Sequence, residues 1–130
     1  MIEILKSVPF FAPLPDEDLK AIGETVVMEY YPVGYTLFSE GDPGNKMYLI
    51  KTGSVDVIRG KAIVATLGHG DFFGEMALGS DEPRSATIRV KEDVELLVLT
   101  KESFKHLLET NGQIAAMVSY EVVNRVNANG

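Results

Sequence analysis

The chain has 130 residues, a formal net charge of -7 at pH 7 and no cysteine. That length suits one domain with one sizeable core. The acidic balance argues against nucleic acid as a direct partner, since such binding draws on basic side chains set against phosphates. The lack of thiols excludes disulfides and thiolate metal sites.

Near the start, Glu3 and Lys6 interrupt "MIEILKSV", so no secretory signal is expected there. The segment "LPDEDLKAI" opens a helix, with Pro15 suited to a first turn and Asp16, Glu17 and Asp18 complementing the dipole. Leu19 and Ile22 are its expected buried stripe. From residue 26 to residue 99 the pattern turns to strands: "YTLF", "MYLI", "SVDVI", "AIVATL", "ATIRV" and "VELLVL" are short and rich in aliphatic and β-branched residues. The turn signals "EGDPGN", "KTGS", "IRGK" and "LGHGD" separate them, and a hairpin is expected to turn at Arg59, Gly60 and Lys61. Seven or eight such strands predict an antiparallel sandwich or barrel. Thr100 is the expected cap of a helix carrying Phe104, Leu107 and Leu108, broken at Asn111 and Gly112. A last helix is expected over residues 113–127, with Ile114, Val118 and Val122 on its apolar stripe. No apolar run approaches the roughly 20 residues of a membrane span. A cytoplasmic setting without membrane contact is expected.

"FFGEMALGSDEPRSATI", residues 72–88, carries the chemistry. Gly74 permits a tight exit from the strand ending at Phe73. Residues 75–78 are helix formers, and the first turn of a helix offers unpaired N–H groups to an anion, here from Met76 and Ala77. Pro83 turns the chain, and Arg84 returns a planar fork that pairs with two phosphate oxygens at once. Ser85 and Ala86 are small enough for a ligand to approach the backbone. Glu75 would repel a phosphate but would accept a proton from a neighbouring hydroxyl. One phosphate and one free sugar hydroxyl on a rigid frame describe a cyclic nucleotide.

The segment "GEMALGSDEPRSATI" resembles the phosphate-binding cassette of the cyclic-nucleotide-binding domain family, and "VPFFAPLP", "EGDPGNKMYLIKTGSV" and "LGHGDFFGE" extend the likeness over most of the chain. The resemblance implies a single domain over residues 1–130. It would be mainly β with flanking helices: short N-terminal helices to about residue 24, an eight-stranded antiparallel jelly-roll β-barrel over about 25–100 with a cassette helix at 74–87, and two C-terminal helices over about 101–128. It implies that Glu75 holds the ribose 2′-hydroxyl and Arg84 the cyclic phosphate. Ala77 and Ser85 would complete the phosphate shell, and Val57, Ala65 and Leu67 would form an apolar wall beside the purine. The last helix would be a lid, with Tyr120, Val123 and Arg125 as candidates for base contact. The implied ligand is cAMP, with cGMP the alternative, because Ser85 does not decide between them. No cofactor and no catalysis are implied. Partners would be the nucleotide, an attached effector domain or a second copy of the chain.

Other readings compete. A cupin-like metal enzyme needs histidines and a carboxylate facing one cavity, whereas His69 and His106 are far apart in the chain and lie in a turn and on a helix. A transcription factor needs a helix-turn-helix beyond the last helix, which these residues do not contain. A degenerate domain that keeps the fold as an interaction module is disfavoured by intact Gly74, Glu75, Arg84 and Ala86. An Arg84–Glu75 surface ion pair is the plainest alternative for the motif. The terminal "NANG" leaves open whether the chain is a piece of a longer protein.

Overall fold

The computed structural model describes residues 2–6, 11–74 and 83–110. Two helices open it, α1 (Ile2–Lys6) and α2 (Asp16–Thr25). Pro15 stands at the N-cap of α2, one position ahead of the expected first turn. Its carbonyl accepts the amides of Asp18 and Leu19 at 3.0 and 3.1 Å. Leu19 and Ile22 are buried, as their spacing predicts.

Six strands follow among the described residues: β1 (Val27–Tyr31), β2 (Thr36–Phe38), β3 (Lys46–Arg59), β4 (Ala62–Leu67), β5 (Phe72–Phe73) and β6 (Thr87–Thr100). All pairings are antiparallel. The main order is β1-β6-β3-β4, with β2 joined to β6 and β5 to β3. The β-rich architecture with flanking helices matches expectation. The closed eight-stranded barrel does not: the described ladder is open and holds six strands.

The difference in count lies in β3 and β6. "MYLI" and "SVDVI" are two halves of β3, and "ATIRV" and "VELLVL" are two halves of β6. The turn signal between the halves of β3 bends the strand without ending it. The register against β6 shifts between Ile50 and Thr52, between Thr52 and Ser54, and between Ser54 and Val55. Gly53 sits there at φ +85°, where an added Cβ would lie 2.1 Å from the Asp93 carbonyl oxygen. A bulge of this kind increases local twist while the ladder continues on either side. Side chains fasten the irregular stretch: Thr52 donates to Glu95 Oε1 at 2.9 Å, and Ser54 donates to Glu92 Oε1 at 2.7 Å.

Alternation along β3 and β6 builds two apolar clusters, because successive side chains point to opposite faces. Met47, Leu49, Leu97 and Leu99 face Leu5, Phe11, Leu14, Leu19 and Ile22 of the helical layer. Tyr48, Ile50, Val55, Leu96 and Val98 face the other way, with Phe73, Ile88, Val90 and Val94. Strands covered on both faces read as continuous apolar runs, which is why "ELLVL" shows no polar alternation.

The β3–β4 hairpin closes on the pair Arg59–Ala62, leaving Gly60 and Lys61 as its two-residue turn. α3 (Lys101–Thr110) begins where expected. Thr100 Oγ1 accepts the Ser103 amide at 3.1 Å, a side-chain N-cap. The side chains of Phe104, Leu107 and Leu108, the break at Asn111 and Gly112, and the last predicted helix lie outside the described residues. Among the described residues no helix is long and apolar enough to cross a membrane.

Candidate functional site

The site grows from the end of β5. Phe73 pairs with Tyr48 of β3, is buried, and stacks on the Tyr48 ring with centroids 5.0 Å apart and planes 13° from parallel. Phe38, at the end of β2, completes an aromatic trio at 6.0 Å from Tyr48 and 6.1 Å from Phe73. Gly74 then leaves the strand at φ +78°, a conformation that glycine adopts without strain. The expected tight exit is therefore present.

Arg84 returns to the same place by main-chain pairing. Its amide donates to the Asp42 carbonyl at 2.7 Å, and its carbonyl accepts the Gly41 amide at 2.8 Å. Asp42 Oδ2 accepts the Ser39 amide at 2.9 Å, which fastens the β2–β3 loop that Arg84 pairs with. The Arg84 residue is 9% exposed, so it is not a solvated surface charge. A buried cation is costly unless polar groups surround it. Here one terminal nitrogen donates to the Lys46 carbonyl at 3.0 Å and the other to the Gly74 carbonyl at 3.4 Å. The Phe38 ring lies 4.1 Å from Cζ, and the Tyr48 ring 5.9 Å. The negative faces of these rings attract the guanidinium. Burial pushes the Tyr48 phenol above its ordinary pKa, although the Arg84 cation pulls the other way.

The remaining predicted residues divide. Ala86 is buried and Ser85 exposed, both following Arg84 just before β6. Val57 and Ala65 face each other across the hairpin, and Leu67 faces Val55, so all four share one side of the ladder. Val57 and Leu67 pack at the margin of the cluster that contains Phe73 and Tyr48, as Phe38 does. The hairpin and the arginine thus border one apolar cluster. Ala65 is exposed. Glu75, Met76 and Ala77 lie outside the described residues, as do Tyr120, Val123 and Arg125, so a contact between Glu75 and Arg84 is not described. His69 is exposed and its Nδ1 meets the Lys51 carbonyl. His106 is exposed on α3. Among the described residues no three His, Asp or Glu side chains converge in a metal-binding group.

Sequence reasoning missed Phe38, Tyr48 and the Lys46 carbonyl. Phe38 and Tyr48 read only as strand residues, and a backbone carbonyl has no sequence signature. The available hint was the aromatic residue Phe38 just before the glycine-rich loop "SEGDPGN" and Tyr48 three positions after it.

Comparison with known proteins bears on this geometry. The model of the family "Cyclic nucleotide-binding domain" matches residues 28–111, which span β1 to the end of α3. A cAMP-dependent protein kinase regulatory subunit from Aspergillus niger is 35% identical over 119 residues, covering 90% of this chain and 29% of the relative. Among solved structures, the catabolite activator protein of Thermus thermophilus superposes with a TM-score of 0.85 at 30% identity, over 93% of this chain and 59% of that one. The structure of cAMP-bound PfPKA-R (141–441) gives 0.83 at 26% identity, over 95% and 43%. With this fold, this buried arginine and this match, the chain belongs to the cyclic nucleotide-binding domain family. It spans less than a third of the Aspergillus niger relative. The family, which includes these regulatory subunits and the catabolite activator protein, is one of regulatory binding domains.

Proposed function

We propose that this chain is a cAMP-binding regulatory module, without catalysis of its own, that signals through its C-terminal helix. The observation that carries the reading is Arg84: a cation fixed by its own main chain, buried at the end of the "GEMALGSDEPRSAT" motif and bordering an apolar cluster. Arg84 neutralises the cyclic phosphate, while Ser85 and the Ala77 backbone add hydrogen bonds to it. Gly74 and Ala86 keep the approach open, and Met76 adds a backbone amide. Glu75 accepts the 2′-hydroxyl. Val57, Ala65 and Leu67 offer the base an apolar surface, and buried Phe73 backs the site from the core. Ligand then favours the state in which the last helix covers the base, a population shift set by differential affinity. The related kinase regulatory subunit and the cAMP-bound PfPKA-R structure support cAMP as the ligand and a longer protein as the setting for an effector domain.

Titration calorimetry with cAMP and cGMP, on the wild type and Arg84→Leu, tests this. Removing one partner of a buried charge pair costs about 2–5 kcal/mol, so Arg84→Leu weakens cAMP binding at least tenfold, about 1.4 kcal/mol, with little change in melting temperature. Equal affinities for the two proteins refute the role of Arg84. Tighter binding of cGMP than of cAMP by the wild type refutes the choice of nucleotide.

A further inference from the structure

We infer that Gly44 and Phe38 are positioning residues that hold the Arg84 guanidinium in one orientation, and so set the affinity of the anion site. The inference rests on the reading of Arg84 as the phosphate ligand and adds the two residues that aim it. Phe38 lies under the guanidinium, with its centroid 4.1 Å from Cζ. Gly44, in the β2–β3 loop, gives the side chain room. A Cβ added there would stand 2.1 Å from Nε, 2.3 Å from Cζ and 2.8 Å from Cδ of Arg84. Gly44 does not have the left-handed backbone that Gly41 and Gly53 have, so its conformation does not call for glycine. The need is the space that Arg84 fills. The Lys46 and Gly74 carbonyls set the in-plane direction of the fork through its two terminal nitrogens. A flat ring below, a missing side chain beside and two acceptors in the plane make a slot shaped for a planar cation. Lysine, a point charge on a flexible stem, would not be held by it in the same way.

The same geometry explains why the slot can be altered without unfolding the chain. The three atoms nearest an alanine methyl at position 44 are all distal atoms of one flexible side chain, that of Arg84. The adjustment therefore falls first on the Arg84 side chain. Phe38→Leu keeps an apolar side chain at a half-buried site and removes the aromatic face.

The experiment uses the full chain with Gly44→Ala, Phe38→Leu, Phe38→Tyr and Arg84→Lys. Two readouts are taken: the NMR resonance of the Arg84 Nε–H, assigned by its loss in Arg84→Lys, and cAMP affinity by calorimetry. In the wild type the Phe38 ring current displaces the Nε–H resonance. Phe38→Leu abolishes that displacement, Gly44→Ala moves the resonance, and Phe38→Tyr restores it. In parallel, cAMP binding weakens about tenfold in Gly44→Ala and in Phe38→Leu, for the latter a loss within the range of a cation–π contact, and recovers in Phe38→Tyr. Melting temperatures report that each variant is folded. Should Gly44→Ala melt early, the Phe38 pair carries the test. An unmoved Nε–H resonance, or wild-type affinity in both Gly44→Ala and Phe38→Leu, overturns the inference while leaving the nucleotide reading intact. A wild type that binds no cAMP overturns both.

Discussion

The two faces of β3 are built from adjacent residues and do different work. Met47 and Leu49 join an apolar layer against the helices, whereas Tyr48, between them, joins the cluster whose aromatic rings receive a buried guanidinium. Both faces exclude water. On the helix side that exclusion yields stability alone, through about 25 cal/mol per Å² of apolar surface buried. On the arginine side it strengthens the field of a fixed cation, since charges interact more strongly away from bulk water. One strand thus turns Met47 and Leu49 to the helices and Tyr48 to the arginine.

That contrast can be broken by substitution. The largest effect is expected for Leu97→Ala, on the helix side. Leu97 is 2% exposed and faces Met28 and Leu49 in the ladder. Such truncations cost about 2–5 kcal/mol, so urea unfolding should show a loss of that size while the folded fraction keeps wild-type cAMP affinity. A matching loss of affinity would show that the faces are not separable. An intermediate effect is expected for Gly53→Ala. The left-handed backbone there penalises a side chain by about 1–2 kcal/mol, and the Asp93 carbonyl at 2.1 Å forces a shift between β3 and β6. Because both strands serve both faces, this variant should lower the denaturation midpoint and weaken cAMP binding together. The smallest effect is expected for Thr100→Ala. Loss of the cap to Ser103 costs about 1 kcal/mol of stability, and direct comparison of Kd should show no change at the arginine.

Much of this was legible in the sequence. Aliphatic and β-branched runs between turn signals gave the strands, and the acidic turn after Pro15 gave α2. Thr100 announced α3, and the spacing of Gly74 and Arg84 marked the site. The strand count was not legible, because "KTGS" carries the same residues whether glycine ends a strand or bends it, and only pairing with β6 decides. The floor under Arg84 was hidden for a similar reason. Phe38 and Tyr48 stand ten positions apart in the chain, pair with distant parts of β6 (Ile88 and Val98), and meet only through the packing of one cluster. The aromatic residues most useful to the site look, in sequence, like ordinary core.

The two main-chain bonds between Arg84 and residues 41 and 42 have a thermodynamic consequence. An arginine on a floppy loop must lose conformational freedom when its anion arrives, and that loss subtracts from affinity. Here the chain settles the arginine's backbone as it folds, so a ligand meets a charge already at rest. Loosening residues 39–45 by lengthening the loop would therefore slow recognition and weaken it, with every atom that touches the ligand unchanged.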